Sequence, residues 1–139
     1  MSVLHQQIGQ WLGVRAPKTE QQMLEIVEQQ LPTSAINRLL ALGLTRSELD
    51  ALVIPQRTLQ HRRSRREKLS VEESDRVLRA TRLLSQAESV YSSRERALAW
   101  LRRPHPRLSN RTPLEMARTD TGSRIVEELL VQIEEGIFV

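Results

Sequence analysis

At five places along this 139-residue chain a Ser or Thr with Glu or Gln three residues later stands ahead of an apolar run with a helical period. The pairs are Thr19/Gln22, Thr45/Glu48, Ser70/Glu73, Ser92/Glu95 and Thr112/Glu115. In such a pair the hydroxyl accepts the third amide of the helix while the longer side chain reaches back to the cap's own N–H. Two donors that a helix leaves open at its start are thereby closed together. At Thr45 the flanking Leu44 and Leu49 stand where a hydrophobic staple would. At Thr112 the next residue is Pro113, at the first helical position, where a missing N–H costs nothing. A chain that restarts its helices this often is a chain of short helices.

The apolar spacing places nine of them: Val3–Leu12, Glu20–Leu31, Ser34–Leu42, Arg46–Val53, Pro55 to about Glu67, Val71–Tyr91, Ser93–Arg102, Pro113–Arg118, and about Gly122 to Glu135. Gly136 reads as the cap of the last. There Ile125, Val126, Leu129, Leu130 and Ile133 form one stripe, expected to be core, as is Trp100. No period-2 run is long enough for a strand, so the fold class is all-α. Aromatic residues are only 3% of the chain, so the core is aliphatic. Residues 103–111, with Pro104 and Pro106, read as a loop that puts His105 on the surface and serves as the joint before the C-terminal unit.

Several functions are disfavoured at once. The chain has no cysteine, which removes disulfides, zinc–thiolate sites and thiol catalysis. Its three histidines, His5, His61 and His105, lie at no metal-binding spacing, and no glycine-rich phosphate loop occurs. The expectation is therefore no enzyme, no metal and no cofactor. The first ten residues do not form a signal peptide, and no apolar stretch approaches the ~18 residues of a membrane span. A cytoplasmic protein with no membrane partner is expected.

Charge is where the sequence becomes specific. Residues 54–68 hold six Lys or Arg against one Glu, whereas residues 1–53 hold four against five and residues 69–139 eleven against eleven. The whole positive excess falls in one stretch, the footprint of a polyanion binder. It also falls on the second half of a predicted helix-turn-helix. Pro55 disfavours helical backbone at Ile54 and so stops the helix before it, then suits the first turn of the next. Leu49, Leu52 and Leu59 can pack the pair. Gln56, Arg57 and Thr58 open the second helix, where a recognition helix reaches base edges. Gln pairs with adenine and Arg with guanine. Gln60 and His61 lie on nearby faces. Farther along, Arg62, Arg63, Arg65 and Arg66 are placed to touch phosphates, which set affinity rather than sequence. With two Trp, one Tyr and one Phe there is no aromatic platform for single-stranded bases, so the expected ligand is duplex DNA.

From Leu42 onward the chain resembles the Xre/ParS-type antitoxins. The resemblance rests on ordered blocks: Leu49 and Ile54–Leu59 (IPQRTL); Leu69–Arg76 (LSVEESDR); Ala97–Leu101 (ALAWL) with Pro104 and Leu108; Thr112–Leu114 and Thr119–Gly122; then Val126, Leu129, Leu130, Ile133 and Gly136. Residues 1–40 carry little of it. Asn110 stands where the family tends to have Gly, and Asn tolerates the left-handed backbone that Gly would supply. Met116 and Ala117 replace larger aliphatics, which loosens the short helix there.

The resemblance implies an Xre-like helix-turn-helix bundle over residues 1–68 and a helical linker with a small C-terminal toxin-binding domain over 69–139. It implies a homodimer on operator double-stranded DNA, repressing its own operon in a bacterial cell. It implies a partner encoded alongside, a RES-domain toxin that depletes NAD. It further implies that Glu134, Glu135, Gly136, Ile137, Phe138 and Val139 meet that toxin, with the tail entering its active site. From the residues alone, a tail folded back over its own core remains the other disposition. The rival function is a helix-turn-helix regulator or partition-type DNA-binding protein with no toxin partner.

Overall fold

The computed structural model describes residues 3–137. Among them run nine α-helices: α1 (Val3–Leu12), α2 (Glu20–Glu28), α3 (Ser34–Ala41), α4 (Arg46–Leu52), α5 (Gln56–Ser64), α6 (Val71–Tyr91), α7 (Arg94–Leu101), α8 (Pro113–Met116) and α9 (Asp120–Glu134). Among the described residues the one sheet-like feature is an isolated antiparallel bridge between His105 and Arg111. The all-α expectation holds. The chain divides into two compact units, Met1–Thr81 and Arg82–Val139, and α6 contributes to both.

In the first unit α1 packs on α3. The core is aliphatic, with Ile8, Met23, Leu39, Ile54, Leu59 and Leu69 almost wholly shielded. The Thr45 capping box closes in full: Thr45 Oγ1 accepts the Glu48 amide at 3.1 Å, and Glu48 Oε1 accepts the Thr45 amide at 2.9 Å. Leu44 and Leu49 on either side of it are both buried. At Thr19 only half of the pattern forms: Thr19 Oγ1 takes the Gln22 amide, while Gln22 Oε1 takes the amide of Lys18 instead.

Two helices of this unit stop about three residues short of their expected ends. α2 ends at Glu28 rather than Leu31, because Gln30, after the capping Gln29, turns into left-handed backbone at φ 63°. α5 ends at Ser64 rather than near Glu67. Its closure is a Schellman turn, in which the Glu67 amide reaches Arg62 O at 2.9 Å and the Arg66 amide reaches Arg63 O at 3.1 Å. The left-handed position, usually a glycine, is Arg66 at φ 56°.

In the second unit α7 packs on α8, and α8 on α9. Trp100 is buried, as expected, but His105 is not the surface residue the flanking prolines suggest. Its ring lies on Trp100 with centroids 4.8 Å apart, and its Nε2 is 3.1 Å from the Trp100 carbonyl oxygen. The expected loop is also more ordered than its prolines imply. It holds a 3-10 turn at Pro106–Leu108 and the His105–Arg111 bridge, and Asn110 adopts the left-handed backbone anticipated for it, at φ 61°.

The caps shift by a residue or two. Ser93, not Ser92, caps α7, while Ser92 at φ 55° takes the left-handed place after α6. α9 starts at Asp120, two residues before the expected Gly122, because Thr119 Oγ1 accepts the Gly122 amide. Gly122 is required there by close approach, since a Cβ would collide with the Met116 carbonyl oxygen. At the other end Gly136 (φ 74°) completes a Schellman turn, with the Ile137 amide on Gln132 O and its own amide on Ile133 O. The expected stripe of α9 holds in part: Val126, Leu129 and Leu130 are buried, but Ile133 is half-buried and Ile125 is 44% exposed.

Candidate functional site

α4 and α5 form the helix-turn-helix, with Leu49, Leu52 and Leu59 buried as expected. Pro55, the residue before α5, has no side chain that can cap it. Asp50 of α4 supplies the missing acceptor, its Oδ1 taking the Gln56 amide at 2.8 Å. Arg46, the first residue of α4, donates to Gln56 Oε1 at 3.2 Å. The start of α5 is thus set by two side chains of α4.

At about 100° per residue, Gln56, Arg57, Gln60 and His61 share the face of α5 opposite the buried side, and all four are exposed. Thr58 is half-buried beside Leu59. Arg63, Arg65 and Arg66 are exposed at the end of the helix, where Arg63 Nη2 also reaches Asn37 Oδ1 at 2.7 Å.

Arg62 is different from its neighbours. Its Nε donates to Glu73 Oε1 at 2.7 Å and its Nη2 to Glu73 Oε2 at 3.1 Å, a fork on a carboxylate whose residue is only 7% exposed. Glu73 Oε1 also takes the Ser70 amide at 2.7 Å, and Ser70 Oγ takes the Glu73 amide at 3.0 Å. Burial pushes the Glu73 carboxyl up, but the hydrogen bonds from Arg62 and Ser70, with the Arg62 charge, outweigh it and hold the group below the ordinary value. The Arg62 guanidinium is held above its ordinary value by the hydrogen bond to Glu73, against the cost of its burial.

The first turns of α6 therefore do more than cap a helix. Ser74 Oγ accepts the Leu31 amide at 2.9 Å. Arg76 Nη1 donates to Val53 O at 3.3 Å, at the end of α4. The Leu69 amide donates to Leu31 O. Sequence reasoning found the Ser70/Glu73 cap but missed what Glu73, Ser74 and Arg76 hold. Four polar residues in the order Ser-x-x-Glu-Ser-x-Arg were the available signal, without a partner for any of them.

In the second unit Glu134 and Glu135 end α9, exposed, with no basic residue in its last turn. Gly136 and Ile137 follow, both exposed. Phe138 and Val139, expected beside them in the partner-binding set, lie outside the described residues. Among the described residues no cluster of His, Asp or Glu could hold a metal ion, and no helix is long and apolar enough to cross a membrane.

Comparison with known proteins matches the two halves separately. Residues 22–82 match the antitoxin Xre-like helix-turn-helix domain, and residues 86–136 match the antitoxin Xre/MbcA/ParS C-terminal toxin-binding domain. The chain carries both domains of the Xre-type antitoxins. An Antitoxin Xre from Pseudomonas putida is 43% identical over 84 residues, covering 60% of this chain and 53% of that protein. An Antitoxin Xre from Yersinia enterocolitica is 32% identical over 91 residues, covering 65% of this chain and 62% of its own. A Prs ADP-ribosylating antitoxin from a Sphingobium species is 31% identical over 98 residues, with 64% and 62% covered. The chain thus spans between about half and three-fifths of the length of these relatives.

Proposed function

We propose that this chain is the antitoxin and self-repressor of a type II pair. The observation that carries this reading is the pairing, in one chain, of an exposed reading face on α5 with a match to a toxin-binding domain over residues 86–136. Residues 1–68 form the DNA-binding half, α6 leads out of it, and the remainder binds the toxin. On DNA, Gln56, Arg57, Thr58, Gln60 and His61 meet base edges, and Arg63, Arg65 and Arg66 meet phosphates. A homodimer places two such helices on two half-sites of the operator, upstream of its own reading frame.

The toxin surface is the end of α9 and the segment after it: Glu134, Glu135, Gly136 and Ile137, continued by Phe138 and Val139. Two carboxylates at a helix C-terminus oppose the helix dipole and weaken their own helix. A basic cleft would offset that cost, and Ile137, 57% exposed, offers an apolar anchor beside them. The partner is a RES-type toxin that consumes NAD. The name of the Sphingobium relative couples ADP-ribosylation to one antitoxin of similar sequence, and ADP-ribose transfer also draws on NAD.

The test uses the duplex upstream of this reading frame and the product of the neighbouring one. Arg57→Ala should weaken binding to that duplex by about 1–3 kcal/mol and relax its sequence preference. Equal loss on every duplex would place Arg57 on phosphate. Deleting Ile137–Val139 should spare DNA binding and abolish protection from the toxin. Full protection by the shortened chain would remove the tail from the toxin surface.

A further inference from the structure

The recognition helix has few holds of its own. Of the nine residues of α5 only Leu59 is buried. Its first residue is preceded by a proline that cannot cap, and its last turn closes on an arginine in left-handed backbone. What fixes it besides is polar: Asp50 at its start, and at its end Asn37 through Arg63 and the buried Glu73 through Arg62.

The geometry points to Glu73 as a positioning residue for the recognition helix, with Arg62 its handle rather than a phosphate contact. This inference rests on the DNA-binding reading above. The two parallel bonds fix the plane of the guanidinium and not merely its distance, so the last turn of α5 is held in orientation as well as in place. Glu73 is itself immobilised, because the same Oε1 closes the Ser70 cap. The helix it belongs to is pinned to the first unit by Ser74 on the Leu31 amide and by Arg76 on Val53 O. Because Arg76 holds the end of α4, α6 fastens both helices of the motif. For Arg62 to turn its forked edge, Nε and Nη2, to a phosphate it would have to leave a carboxylate that is only 7% exposed without its counter-charge, and the remaining Nη1 faces Glu67 at 3.8 Å.

The two roles of Arg62 predict opposite signs. If Glu73 positions α5, its loss weakens DNA binding although a negative charge has been removed. If Glu73 merely competes with DNA for Arg62, its loss frees a cation and strengthens binding. The probes are a labelled duplex of the DNA upstream of this reading frame and a random-sequence duplex, titrated with the full chain over a range of salt. Glu73→Gln and Arg62→Lys should each weaken binding to the upstream duplex roughly tenfold, the loss expected when one bidentate base contact is misaligned. The double variant should be no weaker than either single one, since both remove the same fork. The slope of log affinity against log salt should stay at the wild-type value, because no phosphate contact is lost.

Arg62→Lys keeps the charge and so guards against a Glu73 variant that fails to fold. A lysine would serve a phosphate almost as well, but it cannot make the fork. Wild-type affinity in Arg62→Lys, or tighter binding in Glu73→Gln, would overturn the inference while the DNA-binding reading stands. A wild-type chain that binds neither duplex would end both.

Discussion

Ser74 Oγ lies 2.9 Å from the Leu31 amide nitrogen, joining the start of α6 to the segment between α2 and α3 across 43 residues of sequence. Ser74 and Leu31 are both buried, so no water can replace the hydroxyl as acceptor. Ser74→Ala should cost about 1–3 kcal/mol, the penalty for an unsatisfied buried donor. Urea unfolding followed by circular dichroism measures it. A loss below about 0.5 kcal/mol, the usual range for a surface change, would mean the amide finds another partner.

The Glu73 carboxyl is held below its ordinary value, which gives a pH dependence with a definite sign. A group whose pKa is lowered by folding stabilises the native state fully above its unfolded value, near 4.3 for Glu. That contribution is lost as pH falls through the lowered folded value. Glu73→Gln should therefore cost about 1–3 kcal/mol at neutral pH, for a charged hydrogen-bonded pair removed on one side. Its stability should also fall less than the wild type's below about pH 4.3. Parallel curves for the two proteins over that range would contradict the assignment.

Arg66 carries a conflict between stability and function. Its φ of 56° suits glycine, and a non-glycine residue there costs roughly 1 kcal/mol. Arg66→Gly should raise stability by about that amount. As a proposed phosphate contact it should also lower the salt slope of DNA binding by about 1. A destabilised Arg66→Gly would mean that the arginine side chain supports the turn.

Gly122→Ala tests the corner between α8 and α9. The added methyl would meet the Met116 carbonyl oxygen and stand 3.0 Å from Thr119 Oγ1, and a backbone carbonyl cannot swing aside as a side chain can. Overpacking of this kind costs about 1–3 kcal/mol. Hydrogen exchange should report the damage as lost protection in α8 and α9. Unchanged exchange would show that the corner has room.

The helices were legible because their signals are local. Apolar period and capping hydroxyls fix where α4, α6 and α8 begin, and the proline between α4 and α5 fixes the turn. The errors arose where a residue acts without its usual signature. Arg66 closes α5 in place of a glycine, so the sequence reading runs that helix on to about Glu67. Thr119 caps α9 without an acid three residues later, because Gly122 stands there. In the candidate site the basic stretch and the exposed face of α5 could be read from composition and period. The role of Arg62 could not, since a fork to Glu73 across 11 residues depends on how two helices meet. Nothing in the spacing separates Arg62 from Arg63.

On the function proposed above, this chain neutralises a partner protein. The most direct measurement is co-expression with the product of the neighbouring reading frame, affinity-tagged on that product alone, with growth followed in the presence and absence of this chain. A stable complex, together with growth arrest that this chain relieves, is the predicted result. Growth arrest that persists, with this chain absent from the purified partner, would contradict the antitoxin account and leave a helix-turn-helix regulator without a toxin partner.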